Sequence, residues 1–533
     1  MQKNNVFNPF LPIDEYIPDG EPHVFDGRVY LFGSHDREGG YTFCMEDYGA
    51  YSAPVDDLSD WRKEGVIYRA VQNPSYPNPK YMFAPDVVRG NDGRFYLYYC
   101  MGGDYGVGGY TGTVNVAVCD EPGGEYEYLG AVRNPDGTPL KKYICFDPAV
   151  INDDGVIRLY YGTQYGDEEK LGLTDEVIEK EMDMFGRSRE EILSYPDSIN
   201  GPVMAVLSDD MLTVKEEPKH IIPYKVAGTG FEGHPFFEGS SIRKVGKKYY
   251  FIYSSWQNHE LCYAVSDYPD RDFSFGGTIV SNGDIGLDGR TEKDKLNMTG
   301  TTHGSICEVN GQWYVFYHRL THKSDYSRQA CAEKINILPD GSIPQVEITS
   351  CGLNDGPLPA KGRFPSVICC NLTNGNMPHG SNSVFSHSFP NVTHFDNERF
   401  VGEIGDGTLI GYKYFDMTNV RRIGVCVRYE EDDNRFRFEG PIRIDERSEK
   451  YERLLSENEK RGGSFGNDEC FFEVLLSKDG EAVGRIAIDY GSDNDHLKWE
   501  DFFLDISTED GIYPLYLVYH GKRKIQLREI IFE

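Results

Sequence analysis

The sequence predicts an all-β protein, a five-bladed β-propeller followed by a β-sandwich of jelly-roll type. Three observations carry that expectation. Aromatic residues make up 13% of the 533-residue chain, chiefly 37 Tyr and 30 Phe against 4 Trp, and they are mixed with 58 Gly and 28 Pro; this is a composition of strands and turns. A hairpin-like unit recurs five times in the first two-thirds of the chain. Beyond about residue 345 the repeat stops, and a Gly- and Pro-rich stretch leads into strand signals of another texture.

The repeated unit is a turn glycine followed by an aromatic-rich alternating strand. It first reads Val24-Phe25-Asp26-Gly27-Arg28-Val29-Tyr30-Leu31-Phe32, and it returns as Asp92-Gly93-Arg94-Phe95-Tyr96-Leu97-Tyr98-Tyr99. The third copy is Asp154-Gly155-Val156-Ile157-Arg158-Leu159-Tyr160-Tyr161, and the fourth is Val245-Gly246-Lys247-Lys248-Tyr249-Tyr250-Phe251-Ile252-Tyr253. The fifth is Asn310-Gly311-Gln312-Trp313-Tyr314-Val315-Phe316-Tyr317. Asp-Gly and Asn-Gly supply the positive φ that tight primed hairpin turns require. Successive glycines lie roughly 60–90 residues apart, the span of one four-stranded blade plus insertions. The longest gap holds Leu173 to Met182 at helical spacing, then Gly186 and Ser188 to Leu193, which predicts a helical insertion over about 170–195. Residues 1–345 are thus expected to form the propeller, and 346–365, with Gly352, Gly356, Pro357, Pro359 and Gly362, a linker. Residues 366–533 form the sandwich, with strands at Thr408–Phe415 and Tyr516–Tyr519 and a charged loop or short helix at Asp445–Arg461.

Charge narrows the partners. Lys plus Arg is 54 and Asp plus Glu is 86, a net charge of −32 that repels phosphate backbones and anionic lipid, so neither nucleic acid nor membrane is an expected partner. No apolar run reaches the ~18 residues of a membrane span. Met1-Gln2-Lys3-Asn4-Asn5 leads into polar sequence without an apolar h-region, so no secretory signal is expected. The 12 cysteines include no CxxC pair and read as reduced thiols of a cytoplasmic protein.

Chemistry is expected where a propeller gathers one end of every blade around its axis. Asp19 precedes the first repeated strand, Asp147 the third, and Glu238 the fourth. Each stands among Pro, Gly or aromatic residues rather than on a charged face. Desolvation beside Phe236 and Phe237 would raise the pKa of Glu238, which suits a general acid.

These motifs resemble glycoside hydrolase family 43, inverting enzymes built on a five-bladed propeller, over roughly residues 7–345. Asn8-Pro9 followed by Asp19 is similar to the family's opening, and the match runs without gaps from Pro18 to Ser34-His35-Asp36. The resemblance implies Asp19 as general base, with Glu21 of Glu21-Pro22 as a rival. It implies Asp147 as the carboxylate that orients the acid and tunes its pKa, and Glu238 as the general acid. Phe83 in Phe83-Ala84-Pro85-Asp86-Val87, His35, Trp256 and Arg328 are the implied sugar-contacting residues. Thr302-His303-Gly304-Ser305 resembles the motif whose His faces the channel, and it implies a hydrated divalent cation, calcium, near His303. The strands at Ile410–Phe415 and Tyr513–Tyr519 look like a family 6 carbohydrate-binding sandwich, which either binds sugar or serves packing or self-association as a homo-oligomer.

The function implied is inverting, exo-acting release of a terminal pentose from xylo- or arabino-oligosaccharides. β-1,4-Xylosidase comes first and α-L-arabinofuranosidase second. A non-catalytic sugar-binding propeller is the alternative from another class, and a protein-interaction propeller is disfavoured by the irregular repeats.

Overall fold

Each repeated unit is the first hairpin of its own antiparallel sheet. In blade one, strands Glu21–Phe25, Arg28–Phe32, Tyr48–Pro54 and Arg62–Tyr68 pair in chain order. Blade two does the same over Tyr81–Ala131, blade three over Ala149–His220 and blade four over Phe236–Ser281. In blades one and five the turns are as the dipeptides require: Asp26 and Gly27 have φ of 49° and 80°, and Asn310 and Gly311 have 51° and 83°. In blade two the Asp92-Gly93 pair instead lies in a five-residue loop, where Gly93 has φ of 86°. The computed structural model describes residues 5–430 and 469–533, apart from 77, 79–80, 103–108, 381, 383, 386–387, 396 and 491–496. The charged stretch Asp445–Arg461 lies outside the described residues.

Blade five has three strands, Ser305–Val309, Gln312–Leu320 and Arg328–Ile335. Its outer edge is occupied by the N-terminal segment instead of a fourth strand. The Phe10 amide donates to the Ala330 carbonyl at 3.2 Å. The Asn8 side-chain amide donates to the Ala332 carbonyl at 2.9 Å and accepts from the Ala332 amide at 3.0 Å. This pairing ties the start of the chain to its last blade, and packing completes the ring. Phe32 and Tyr48 of blade one share a core with Leu97 and Tyr99 of blade two. Tyr98 and Val116 of blade two pack with Leu159 and Val203 of blade three. Tyr160 of blade three meets Phe251 of blade four, and Ile252 of blade four meets Val315 of blade five. Phe316 of blade five closes onto Val29 and Leu31 of blade one. Five inter-blade cores in circular order make a closed five-bladed propeller.

Between the second and third strands of blade three lie three helices, Gly166–Leu171, Asp175–Phe185 and Arg189–Ser194. Thr174 and Ser188 cap the latter two by accepting from the amides of Val177 and Glu191, and Gly186 ends the longest helix in the left-handed conformation. Their apolar stripe, Ile178, Phe185 and Ile192, joins the core between blades two and three. The first helix begins ahead of the segment that periodicity marks, because Gly166-Asp-Glu-Glu-Lys-Leu171 is too short to display a period.

Among the described residues, the C-terminal region is a sandwich of two six-stranded sheets. Its core sets Ile410, Phe472 and Leu517 of one sheet against Val401, Val425 and Ile530 of the other. The stretch 346–365 is drawn into both neighbours: the Val346 amide bonds the Ile279 carbonyl, while Leu358–Pro359 and Gly362–Pro365 are sandwich strands. Buried contacts join the two parts. Lys413 Nζ reaches Asp284 Oδ2 at 3.0 Å, and Arg319 donates to the carbonyls of Cys369 and Cys370.

Candidate active site

The three predicted carboxylates meet around His303. Asp19 and Asp147 each sit two residues ahead of the first strands of blades one and three, with positive φ of 57° and 46°. Asp tolerates that left-handed conformation better than most residues. Glu238 differs from the expectation that it precedes its strand. It lies inside Phe236–Val245, where the pairing with Lys248–Ser255 slips on either side of it. Such a bulge re-aims a side chain without ending the sheet. His303 Nδ1 stands 3.8 Å from Asp19 Oδ1 and 4.0 Å from Asp147 Oδ2. Asp147 Oδ2 accepts the Gly239 amide at 3.0 Å, which fixes the backbone next to Glu238. Gly239 has φ of 74°, and a Cβ there would stand 3.1 Å from the His303 ring, so glycine is needed on both counts. Tyr110 donates its hydroxyl to Glu238 Oε2 at 3.2 Å.

Buried acids this close cannot all ionise, and the surroundings decide which does. Burial alone would raise the Asp19 pKa, but the Arg328 charge above all, with the neighbouring His318 and His303 and a bond from Ser34, holds it below the ordinary carboxylate range. Glu238 is pushed up to about 7 by burial and the Asp19 charge, against the pull of Tyr110 and Arg328. Asp147 goes well above its ordinary value through burial and the charges of Glu238 and Asp19. Burial also lowers His303, and takes His318 to about 3, so both imidazoles are neutral. Below about pH 7 the arrangement therefore favours one carboxylate, Asp19, beside two carboxylic acids.

Arg328 is the cation that makes the choice. One of its nitrogens, Nη1, contacts both Asp19 oxygens at 2.9 and 3.1 Å. Its Nε and Nη2 form a two-pronged pair with Asp36 at 2.8 and 2.9 Å. Asp36, Tyr110 and His318 are contacts that sequence reasoning missed. Asp36 stood inside a quoted motif, but Tyr110 and His318 carry no local signal. The rival Glu21 is buried and bonded instead to Arg243 at 2.6 Å and Ser241 at 3.2 Å. Burial and the Asp86 charge push its pKa up to about 8 despite Arg243, which leaves it protonated where a base must be ionised.

The remaining predicted residues fall around this centre. Phe83 packs with its ring tilted 5.5 Å from that of Phe146, the neighbour of Asp147, and Trp256 packs 4.7 Å from Phe237, the neighbour of Glu238. His35 uses its ring nitrogens on the Asp47 carbonyl and Glu15, while the adjacent Asp36 enters the site through Arg328. For a metal ion, the relevant observation lies below Asp19. His303 Nε2 and Glu21 Oε1 face each other at 4.0 Å, both buried and neither with a hydrogen-bond partner among the described residues. Ligand atoms of Glu21, His23 and Asp86 also gather within 4.8 Å. These donors fit a cation that prefers oxygen and imidazole, so the groups could hold a metal ion.

The signature of glycosyl hydrolases family 43 spans residues 9–343. The chain belongs to that family. Over 539 aligned residues it is 40% identical to a xylosidase/arabinosidase of Thermoclostridium stercorarium, an alignment covering 98% of each chain, sandwich included. A xylosidase/arabinosidase of Bacteroides ovatus is 30% identical over 58% of this chain and 87% of its own. Among solved structures, the GH43_1 enzyme from Xanthomonas citri complexed with xylose aligns with a TM-score of 0.48 and 26% identity, over 63% of this chain and 92% of that one. As a family 43 member, the chain is a glycoside hydrolase.

Proposed function

We propose that this hydrolase is an inverting, exo-acting pentosidase that releases terminal β-xylose from short xylo-oligosaccharides, with α-L-arabinofuranosides as a second substrate. The observation that carries the reading is the unequal partnering of Asp19 and Glu238: Arg328 pairs with both oxygens of Asp19, while Glu238 accepts the Tyr110 hydroxyl. Asp19 takes a proton from a water whose oxygen forms the new bond to the anomeric carbon. The glycosidic C–O bond breaks, and Glu238 gives its proton to the departing oxygen. Asp147, bonded to the Gly239 amide, positions Glu238, while burial and the Asp19 charge keep it protonated. Arg328 and Asp36 keep Asp19 ionised and aimed. Phe83 and Trp256 offer apolar surface to the sugar rings, with His35 at the outer edge.

The names of the relatives from Thermoclostridium stercorarium and Bacteroides ovatus support both pentoses. In this reading residues 1–345 are the catalytic domain, 346–365 the link, whose second half already contributes strands to the sandwich, and 366–533 the rest of a domain like a carbohydrate-binding module. Twelve cysteines, none in a disulfide, support work in the cytoplasm on short oligosaccharides, late in xylan degradation. Calcium held by His303, with Glu21 beside it and water as the other ligands, would offset the negative charge of the acidic pocket when bound. A panel of nitrophenyl pentosides and hexosides tests the assignment. Release from β-xyloside, then α-L-arabinofuranoside, is expected; release from hexosides alone would overturn it.

A further inference from the structure

The sandwich reaches the propeller next to the ion pair that holds Asp19. Its hairpin Asn391–Phe395 and Glu398–Ile404 sets His394 directly opposite Arg399, and both side chains converge on Glu38 of the propeller. Arg399 Nη1 and Nη2 bond the two Glu38 oxygens, the latter at 3.2 Å, and His394 Nδ1 lies 3.2 Å from Oε1. Glu38 Oε1 also accepts the hydroxyl of buried Tyr16 at 2.8 Å, and that hydroxyl lies 3.0 Å from His322 Nε2. Two residues before Glu38 is Asp36, whose amide donates to the Tyr16 carbonyl at 3.0 Å and whose carboxylate carries Arg328.

The same hairpin also holds the other side of that ion pair. The Val392 amide donates to the Thr321 carbonyl at 2.9 Å, and Glu403 pairs with Lys323. Thr321 to Lys323 begin the loop that delivers Arg328. One hairpin therefore pins both segments whose spacing sets the Arg328–Asp36 geometry. The Arg399 and Glu38 side chains are only 16% and 26% exposed, so their pair is less screened than an ordinary surface bridge.

We propose that the sandwich is a working part of the hydrolytic site, in which Arg399 and His394 clamp Glu38 and thereby position Asp36, Arg328 and, through them, Asp19. The inference rests on Asp19 being the base. Arg399 is a positioning residue, since it acts only through others.

The test compares Arg399→Ala, Arg399→Lys and Glu38→Gln in the full-length protein, with Arg363→Ala as control. Arg363 pairs with Asp501 and Glu529 on the sandwich and lies outside the clamp. Small displacements of a reacting group are costly, so kcat of Arg399→Ala should fall about tenfold with KM little changed. The loss should be equal for nitrophenyl xyloside and xylobiose, because a misplaced base is indifferent to the leaving group. Arg399→Lys should recover much of it, and Arg363→Ala should keep wild-type kcat. Glu38→Gln, which keeps the shape and the Tyr16 bond, should show the same pattern and serves if Arg399→Ala fails to fold. Wild-type kcat in folded Arg399→Ala or Glu38→Gln, or an equal loss in Arg363→Ala, would overturn the clamp. Asp19→Ala separates the two failures: if it stays active, the base assignment falls and the clamp with it. If Asp19→Ala is dead while the clamp variants are normal, the clamp alone falls.

Discussion

At the scale of single residues, the site works by unequal sharing of protons. Asp19, Asp147 and Glu238 are chemically alike, yet Arg328 stands against Asp19 while Glu238 is bonded, among the described residues, by a phenol. Removing the acid and removing the base should therefore have different signatures. Glu238→Ala should lose about 10²–10⁴-fold on xylobiose and far less on nitrophenyl xyloside, whose leaving group needs little protonation. Asp19→Ala should lose activity on both about equally, and full activity of Asp19→Ala alongside a dead Glu21→Ala would move the base to Glu21. The protonated acid is the active form, so kcat/KM should fall as pH rises through the Glu238 value near 7. Tyr110 donates to Glu238 and favours its charged form. Tyr110→Phe should therefore raise the Glu238 pKa and carry that limb to higher pH; a limb that stays put or moves down would show that Tyr110 does not set it.

At the scale of elements, tight turns and close approaches do the positioning. The strand that begins at Ser305 must pass so near Phe316 that a Cβ on Gly304 would stand 1.9 Å from its carbonyl oxygen. Gly304→Ala should therefore cost about 1–3 kcal/mol of stability, measured by denaturant unfolding, and should displace His303 along with the backbone. A fully stable, fully active variant would contradict this packing. The blades were legible because an Asp-Gly or Asn-Gly turn ahead of an aromatic strand is a local signal, repeated at Gly27, Gly93, Gly155 and Gly311. Asp19 and Asp147 were legible for the same reason, standing just ahead of those strands. The bulge at Glu238 was not, because slippage depends on the partner strand. Nor was the N-terminal edge of blade five, where Phe10 meets Ala330 320 residues later in the chain. Tyr110, His318 and Arg399 act only through such distant contacts, which one sequence does not display.

At the scale of the whole molecule, five inter-blade cores and the sandwich interface supply the stability, and the buried acidic cluster around His303 supplies the chemistry. Removing a cation from the His303–Glu21 region by chelator should accordingly lower activity while leaving the melting temperature nearly unchanged. Unchanged activity after exhaustive chelation, with no signal from calcium titration, would show that those two groups serve packing alone. The central claim is that Asp19 drives a water onto one face of the sugar while Glu238 protonates the bond on the other. Proton NMR of nitrophenyl β-xyloside hydrolysis, followed from the first turnovers before mutarotation, tests this most directly. The α anomer of xylose should appear first and the β anomer only later; β-xylose as the first-formed product would contradict the account.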